Sequence, residues 1–245
     1  MSGILDIFKE KKPIIGMIHC KGNGDDDTFE RAMREIGIYR AGGVDAVMVE
    51  TYFGDYNQVV RVLDELKRNN PGIPYGVNCL NIDAMGFELA ARYDCDFLQI
   101  DSVIGHVKPR DEATLAAFFE TFRPRCRAFL MGGVRFKYQP VLSEKTEEED
   151  LLESRSRCDA VCVTGDGTGM ETSLDKIKRF RSTLGDFPLF VCAGLTTANV
   201  YEQLQYADGA VVGSWFKDTH KDDGEVCAEH VAEFMQEVRR LRADL

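Results

Sequence analysis

The chain has 245 residues, of which 44% are hydrophobic and 29% are charged, a composition typical of a folded globular protein. Its formal net charge of −11 disfavours binding to nucleic acid and to anionic lipid, so we expect neither as a partner. No apolar run approaches the ~20 residues that a membrane span needs, and Met1 to Lys12 lack an apolar signal region, so we expect a cytoplasmic protein without a membrane span.

Eight short apolar runs follow one another along the chain, and each is continuous, as expected for strands buried on both faces of a parallel sheet. They begin near Pro13, Asp45, Pro74, Asp96, Arg127, Asp159, Pro188 and Asp208. Amphipathic segments separate the runs, and their apolar spacing or N-cap residues predict helices. The clearest predicted helices are Phe29–Arg40, Val59–Arg68, Ala113–Phe122, Leu174–Thr183, Asn199–Tyr206 and Val226–Leu241.

The even-numbered runs share a feature that the odd-numbered runs lack. Each follows the end of a predicted helix and opens with an aspartate, at Asp45, Asp96, Asp159 and Asp208. The repeating unit is therefore βαβα, and eight βα units close naturally into a barrel, whereas the rival open doubly wound sheet usually has about five or six strands. We predict an α/β fold, a TIM (β/α)8 barrel that forms a single domain over residues 1–245, with a short helix at Ile4–Lys11 closing its N-terminal end.

Cysteine usage indicates a reducing compartment. None of the eight cysteines forms a C-x-x-C pair, and several lie inside apolar runs, as in Val161-Cys162-Val163. Free, mostly buried thiols are the expectation, and the ligand spacing of a zinc site is missing. The cysteines are Cys20, Cys79, Cys95, Cys126, Cys158, Cys162, Cys192 and Cys227.

Glycine-rich strand ends predict a phosphate site. In this fold the functional site lies at the C-terminal ends of the strands, and the loops after strands seven and eight often bind phosphate. Run seven ends at Gly194, and run eight ends at Gly213 and Ser214, so we expect these residues to contact a phosphate. The alternative is that the glycines merely ease tight turns.

The loop after run six carries three glycines and two threonines in the sequence TGDGTG. Its candidate ligand contacts are Thr164, Gly165, Thr168 and Gly169, which could surround a phosphate or a ribose. The alternative is a plain flexible crossover. The loop is not a P-loop, because no G-K-[ST] follows.

Carboxylates end two other runs, at Glu50 and Asp101. They are candidates for a general acid and base, or for ligands of a divalent cation, although they could equally cap loops or pair with nearby cations. Asn78 could hold a substrate hydroxyl. Lys137, after run five, could form a Schiff base or neutralise an anionic substrate, and we favour the role of charge.

The four histidines differ in their context. His19 ends run one and could act as an acid–base group or a metal ligand, or could be purely structural. His106, His220 and His230 lie in predicted loops or helices, and we assign them no functional role.

At these strand ends the chain resembles the BtpA family, which includes SgcQ-like proteins. The matching segments, in order, are PIIGMIH, GGVDAVMVETYFGD, GVNCLNID, FKYQPV, VTGDGTG, AGLTTANV and ADGAVVGSWFKD. The resemblance implies a barrel with a phosphate-type site, and its namesake is linked to photosystem I biogenesis while other members accompany sugar-metabolism genes. It carries over Glu50, Gly54, Asp55, Asn78, Lys137, Pro140, Thr164, Gly165, Thr168, Gly169, Gly194, Asn199, Gly213 and Lys217.

The chain departs from the family pattern at three places. KGNGDDD replaces a proline-rich loop after run one, Asp101 stands where the family tends to have asparagine, and Tyr138 stands where histidine often follows the lysine. These departures concern the residues that would select the substrate.

The leading functional hypothesis is an enzyme that acts on a phosphorylated sugar or nucleotide-like metabolite. Lyase, isomerase and glycosyl- or phosphoribosyl-transferring chemistry all stay open. The alternatives are a non-catalytic biogenesis or assembly factor and a metabolite sensor, because a barrel does not guarantee catalysis. No cofactor is predicted with certainty, a divalent cation stays an open option, and the sequence is compatible with a homo-oligomer.

Overall fold

Parallel strands alternate with helices throughout the computed structural model, which describes residues 3–69, 72–104, 112–142 and 144–245. The strands are β1 (Ile14–Ile18), β2 (Ala46–Glu50), β3 (Tyr75–Asn78), β4 (Phe97–Ile100), β5 (Phe129–Gly133), β6 (Ala160–Val163), β7 (Leu189–Val191) and β8 (Gly209–Val212). The helices are α1 (Asp25–Gly42), α2 (Tyr56–Asn69), α3 (Asp83–Arg92), α4 (Glu112–Phe122), α5 (Glu147–Ser154), α6 (Leu174–Leu184), α7 (Val200–Gln203) and α8 (Ala228–Ala243).

Each strand pairs in parallel with its successor, and β8 pairs with β1, where Ile14 is the register partner of Ala210. The sheet is therefore a closed barrel, and the predicted TIM (β/α)8 fold is confirmed. All eight apolar runs are strands. They are continuous because one face of each strand packs inside the barrel and the other packs on helices.

Two apolar cores result from this arrangement. The barrel interior holds inward-facing side chains such as Ile15, Phe97 and Phe190, and a larger core fills the space between strands and helices. Ile4 and Phe8 belong to the interior core, so the N-terminal segment closes that end of the barrel as predicted. The segment is shorter than expected, since only Ile4–Ile7 forms a 3₁₀ helix.

The four aspartates that open the even-numbered strands have a common role. Each carboxylate accepts a hydrogen bond from a backbone N–H near the start of the preceding odd-numbered strand. Ile14 donates to Asp45 at 2.7 Å, Tyr75 to Asp96 at 3.0 Å, Leu130 to Asp159 at 2.7 Å and Leu189 to Asp208 at 2.9 Å. The βαβα repeat thus reflects a hydrogen bond that ties each pair of strands together at the N-terminal end of the barrel.

Several predicted helices differ in their bounds from the observed ones. Helix α1 begins earlier than expected, at Asp25, because its first turn accommodates three aspartates that favour the positive end of the helix dipole. The segment predicted at Asn199–Tyr206 is α-helical only over Val200–Gln203. At α6, by contrast, Ser173 caps the helix as predicted and accepts a hydrogen bond from the backbone N–H of Lys176 at 3.3 Å.

All eight cysteines are free thiols, and seven of them are buried, with Cys227 half-buried. Within the described ranges, none of the helices combines the length and the apolarity that a bilayer crossing requires.

Candidate functional site

The C-terminal ends of the strands surround a cavity that opens to solvent, which we call the mouth cavity. Predicted site residues that line it are Glu50, Lys137, Thr168, Gly169, Gly194, Gly213 and Ser214. Other lining residues with polar or aromatic side chains are His19, Tyr52, Gln99, Thr196, Trp215 and His220. Residues from seven connections or strands thus converge on one opening, as expected for this fold.

Three glycine-bearing loops meet along one side of the mouth cavity. A Cβ atom at Gly194 would lie 2.2 Å from the carbonyl oxygen of Met170, so the loop after β7 packs directly on the loop after β6. Gly194 also has φ +71°, a conformation that glycine adopts without strain. A Cβ at Gly169 would lie 3.5 Å from Ser214 Oγ, which brings the loop after β8 to the same place. We call Gly169, Gly194, Gly213 and Ser214 the glycine loops.

Two predicted ligand contacts, Thr164 and Gly165, lie outside the residues that line the mouth cavity. The Thr164 hydroxyl accepts a hydrogen bond from the backbone N–H of Lys137 at 2.7 Å, and its carbonyl accepts one from Lys176 Nζ at 2.8 Å. A Cβ at Gly165 would lie 2.6 Å from the carbonyl oxygen of Glu171. These residues hold Lys137 and the loop after β6 in place.

Polar side chains form one row across the top of three strands. Glu50, Asn78 and Gln99 are successive register partners on β2, β3 and β4. Asn78 does not line the mouth cavity, but its Nδ2 donates a hydrogen bond to Glu50 Oε1 at 3.1 Å. The other carboxylate oxygen of Glu50 is left for a ligand or for a neighbouring side chain.

Glu50 is suited to proton transfer near neutral pH. Burial raises the pKa of its carboxyl group to about 7, and the negative charge of Asp101 contributes to the rise. The ammonium group of Lys137 and the Asn78 hydrogen bond oppose it. A carboxyl group with such a pKa is populated in both protonation states at physiological pH, which is what general acid–base catalysis requires.

His19 faces Glu50 from the end of β1, with 3.7 Å between Nε2 and Glu50 Oε2. Its Nδ1 lies 3.1 Å from the carbonyl oxygen of Asp222. Since a carbonyl oxygen can only accept, Nδ1 carries the hydrogen in this contact. Burial, followed by the charge of Lys217, lowers the pKa of His19 to about 3. His19 is therefore a neutral imidazole whose Nε2 carries a lone pair.

The charge behind His19 comes from a buried ion pair. Lys217 is 1% exposed, and its ammonium nitrogen lies 3.0 Å from Glu35 Oε1. Burial lowers the pKa of Lys217, while the neighbouring Glu35 carboxylate opposes this change. The pair joins α1 to the segment after β8, and it lies close enough to His19 to disfavour a second positive charge there.

The segment between β8 and α8 folds over the mouth cavity. The Tyr52 hydroxyl donates to Asp222 Oδ2 at 2.7 Å, and the Tyr52 ring stacks on His19 with 4.9 Å between centroids. Within this segment, the rings of Trp215 and His220 stack with 4.2 Å between their centroids. His220, to which we assigned no role, lines the mouth cavity, as do Tyr52 and Trp215.

Gln99 and Lys137 line the cavity with groups that are open to a ligand. Gln99 is 4% exposed, and among the described residues its Oε1 has no hydrogen-bond partner. Lys137 is half-buried, and within the same ranges its ammonium group forms no salt bridge. A buried acceptor without a hydrogen bond and a cation without a salt bridge, as found among the described residues, are features that a bound molecule would satisfy.

Asp101 follows β4 and does not line the mouth cavity, although its charge acts on Glu50. Its backbone packs closely on β5, because a Cβ at Gly133 would lie 2.2 Å from the Asp101 carbonyl oxygen. In the part of the chain that the structure describes, no three His, Cys, Asp or Glu side chains are grouped so that they could hold a metal ion.

The described fold is similar to several solved structures. The native KDPGal structure has a TM-score of 0.66 at 14% identity, with 95% of this chain and 97% of that chain covered. Thiamine phosphate pyrophosphorylase from Pyrococcus furiosus has a TM-score of 0.62 at 13% identity, covering 94% and 96%. N-(5'-phosphoribosyl)anthranilate isomerase from the same organism has a TM-score of 0.59 at 18% identity, covering 94% and 99%. At these identities the likeness shows the fold alone.

Three relatives are similar over most of their sequence. An uncharacterized protein of Thermococcus kodakarensis is 27% identical over 256 residues, with 95% of this chain and 97% of the relative covered. The putative sgc region protein SgcQ of Escherichia coli is 26% identical, covering 99% and 100%. The photosystem I biogenesis protein BtpA of Synechocystis is 24% identical, covering 87% and 83%. The BtpA family model matches residues 10–240, and this chain therefore belongs to the BtpA family.

Proposed function

We propose that this protein is an enzyme that binds a phosphorylated sugar or nucleotide-like metabolite in the mouth cavity and transfers protons during its conversion. The observation that carries the proposal is the pairing of Glu50 with His19. Glu50 has a pKa of about 7, and His19 is a neutral imidazole whose Nε2 accepts hydrogen bonds; the two face each other across 3.7 Å in the cavity that the glycine loops border. A scaffold would have no need for such a pair beside an anion site.

The phosphate of the ligand would bind at the glycine loops. Gly194 and Gly213 let the backbone approach an anion closely, and Ser214 Oγ can donate a hydrogen bond to it. Lys137, without a counterion in the described residues, would supply a positive charge to the anionic ligand. Thr168 and Gly169 border the same side of the cavity.

The reacting end would lie against Glu50 and His19. Above pH 7 the Glu50 carboxylate can take a proton from a substrate carbon or hydroxyl, and below it the carboxyl group can donate one. Asn78 orients the carboxyl group through the hydrogen bond to Oε1. Proton transfer of this kind is common to isomerases and lyases, and it also assists glycosyl and phosphoribosyl transfer.

Proteins of similar fold support the phosphate part of the proposal. Phosphoribosyl anthranilate isomerase has been solved in complex with a reduced 1-deoxyribulose 5-phosphate derivative, and that structure has a TM-score of 0.61 with this chain. Orotidine 5'-phosphate decarboxylase and thiamine phosphate pyrophosphorylase also share the fold. Their names describe phosphorylated molecules, which supports a phosphorylated ligand for this chain.

Titration calorimetry with inorganic phosphate and with ribose 5-phosphate tests whether a phosphate group binds at the glycine loops. We expect both to bind and to compete, and we expect Gly213→Val to weaken both at least about tenfold, because a Cβ there already lies 3.2 Å from His19 Nε2. The matched control is Gly37→Val, at a helical position with open space around it. Unchanged binding by the Gly213 variant would contradict the placement of the phosphate.

Proton transfer itself can be followed without knowing the product. Sugar phosphates incubated with the protein in D₂O should gain carbon-bound deuterium, detected by proton NMR, and Glu50→Gln should abolish the exchange. If ligands bind but neither exchange nor any conversion takes place, the protein is a sensor or an assembly factor and the enzymatic proposal fails.

A further inference from the structure

We infer that the part of the ligand that enters the barrel carries free hydroxyl groups, so that the substrate class is a phosphate ester of a sugar or polyol. This inference rests on the proposed function and narrows it. It depends on the hydrogen-bonding character of three side chains at the base of the mouth cavity, His19, Glu50 and Gln99, which we call the acceptor set.

His19 presents an acceptor because its tautomer is fixed. The hydrogen on Nδ1 is directed to the Asp222 carbonyl oxygen, 3.1 Å away, which leaves the lone pair on Nε2. Asp222 is held in turn by the Tyr52 hydroxyl, which donates to its carboxylate at 2.7 Å. Burial of the ring and, after it, the charge of the buried Lys217 ammonium group lower the pKa of His19, so Nε2 does not become a donor near neutral pH.

Glu50 offers a second acceptor on the same side. Its Oε1 receives the Asn78 amide hydrogen at 3.1 Å, and Oε2 lies towards His19 Nε2 at 3.7 Å, which is too far for a direct hydrogen bond. A ligand hydroxyl placed between Oε2 and Nε2 could donate to one of them. In the ionised carboxyl group, both oxygens can only accept.

Gln99 adds the third acceptor. The residue is 4% exposed and lines the cavity, and among the described residues its Oε1 has no partner. A buried carbonyl oxygen that lacks a hydrogen bond destabilises the protein, and a ligand hydroxyl would satisfy it. Gln99 follows Asn78 in the register of the barrel, so this acceptor continues the row that contains Glu50.

The matching ligand must therefore bring hydrogen-bond donors into the barrel. A hydroxyl group can donate to the acceptor set and accept from Lys137, so a chain of adjacent hydroxyls satisfies both. An alkyl group would leave three buried polar groups unpaired, and a second anionic end would be repelled by ionised Glu50. The discrimination should be large, because a site built around a substrate hydroxyl strongly disfavours an analogue without it.

Matched pairs of phosphate esters test the inference by titration calorimetry at pH 8. The pairs have equal carbon numbers and differ in their hydroxyls: glycerol 3-phosphate and n-propyl phosphate, ribose 5-phosphate and n-pentyl phosphate, glucose 6-phosphate and n-hexyl phosphate. We expect the hydroxylated member of at least one pair to bind at least about tenfold more tightly. Inorganic phosphate serves as the probe for the glycine loops alone.

The outcomes separate the two proposals. If phosphate and all the esters bind without preference for hydroxyls, the inference is overturned and the phosphate site stands. If neither phosphate nor any ester binds, the proposed function fails, and the inference fails with it.

Two variants assign the preference to the acceptor set. Gln99→Leu replaces the acceptor with an apolar side chain of similar size. His19→Phe removes Nε2 but keeps a ring that can stack on Tyr52. Each should reduce the ratio of affinities within a preferred pair at least about fivefold, with the affinity of the same variant for inorganic phosphate as the reference for the glycine loops. The control is Gln205→Leu, at an exposed position after α7. A ratio that is unchanged in both acceptor variants would overturn the inference.

Discussion

The carboxyl group of Glu50 combines burial with a pKa of about 7, well above its ordinary value of 4.5. Burial favours the protonated form of this group, so ionisation of Glu50 in the folded protein lowers the free energy of unfolding. The rise in pKa corresponds to about 3 kcal/mol. Residues that serve catalysis often impose a cost of this kind, and in this protein it can be measured.

The stability of the native protein should therefore depend on Glu50 between pH 4.5 and 8. Within that range the unfolded chain loses the proton first, so the folded state is progressively penalised as pH rises through about 7. Glu50→Gln has no such titration. We expect the stability of this variant relative to the wild type to increase by about 3 kcal/mol from pH 4.5 to pH 8.

Urea unfolding at the two pH values measures the difference. Glu233→Gln, on an exposed part of α8, is the control and should give the same difference at both values. A pH-independent difference for Glu50→Gln would show that Glu50 is not held in a protonated state by burial.

We expect Lys137 to act by its charge in the proposed site, and not through a covalent bond. Lys137→Arg should retain binding of ribose 5-phosphate because the positive charge persists, whereas Lys137→Ala should weaken it about tenfold. Calorimetry measures both, with Lys9→Ala at an exposed position as the control. Borohydride treatment with sugar phosphates should give no adduct by mass spectrometry; a covalent adduct on Lys137 would replace this interpretation with Schiff-base chemistry.

The sequence alone placed part of this site. Glu50, Lys137 and the glycines could be assigned to the mouth cavity because strand ends in a barrel share one face. Tyr52 and His220 could not, since their positions depend on how the segment after β8 folds back on β1 and β2. Thr164 does not line the cavity, because its hydroxyl accepts a hydrogen bond from the backbone N–H of Lys137. The sequence does not show that direction of the side chain.

At the level of elements, the aspartates of the repeat join strands into pairs at the end of the barrel opposite the mouth cavity. They differ in their second partner. Asp208 also binds Arg181 at 2.5 Å, whereas within the described ranges Asp96 forms no salt bridge. The backbone hydrogen bond is therefore common to the repeat, and the ion pair is particular to some of its members.

This difference predicts unequal losses of stability. Asp96→Ala should lower the free energy of unfolding by about 1 kcal/mol, since one strand N–H loses its acceptor. Asp208→Ala should lower it by about 3 kcal/mol, since Arg181 also loses its counterion. Urea unfolding measures the losses, with exposed Asp186→Ala as the control. Equal losses for the two variants would mean that the ion pair adds nothing to the hydrogen bond.

The order of strands and helices could be predicted from the sequence, because the apolar runs recur in every βα unit and the aspartates in every βαβα unit. The lengths of the connecting helices could be predicted less well. Helix α7 is short because the chain tightens after Gln203: the backbone N–H of Gln205 donates to the carbonyl oxygen of Glu202 at 3.3 Å, and that of Tyr206 donates to Gln203 at 3.1 Å. Such i→i−3 hydrogen bonds are common at the C-terminal ends of α-helices.

For the whole molecule, closure of the barrel joins residues that are far apart in the sequence. β1 pairs with β8, and the contact between His19 and Asp222 spans 203 positions. The buried pair of Glu35 and Lys217 spans 182. The mouth cavity is consequently a property of the complete barrel, which explains why the ordered set of strand-end motifs indicates the family better than any single motif does.

The pairing of the first strand with the last has a consequence for synthesis on the ribosome. β1 emerges early, but its second neighbour, Gly209–Val212, is translated near the end of the barrel sequence. Until then the nascent sheet has two unpaired edges, which are the surfaces on which strands of other chains add. The tautomer of His19 is likewise fixed only once the carbonyl group of Asp222 is in place. The candidate site is therefore complete only after β8 and the segment that follows it have been synthesised.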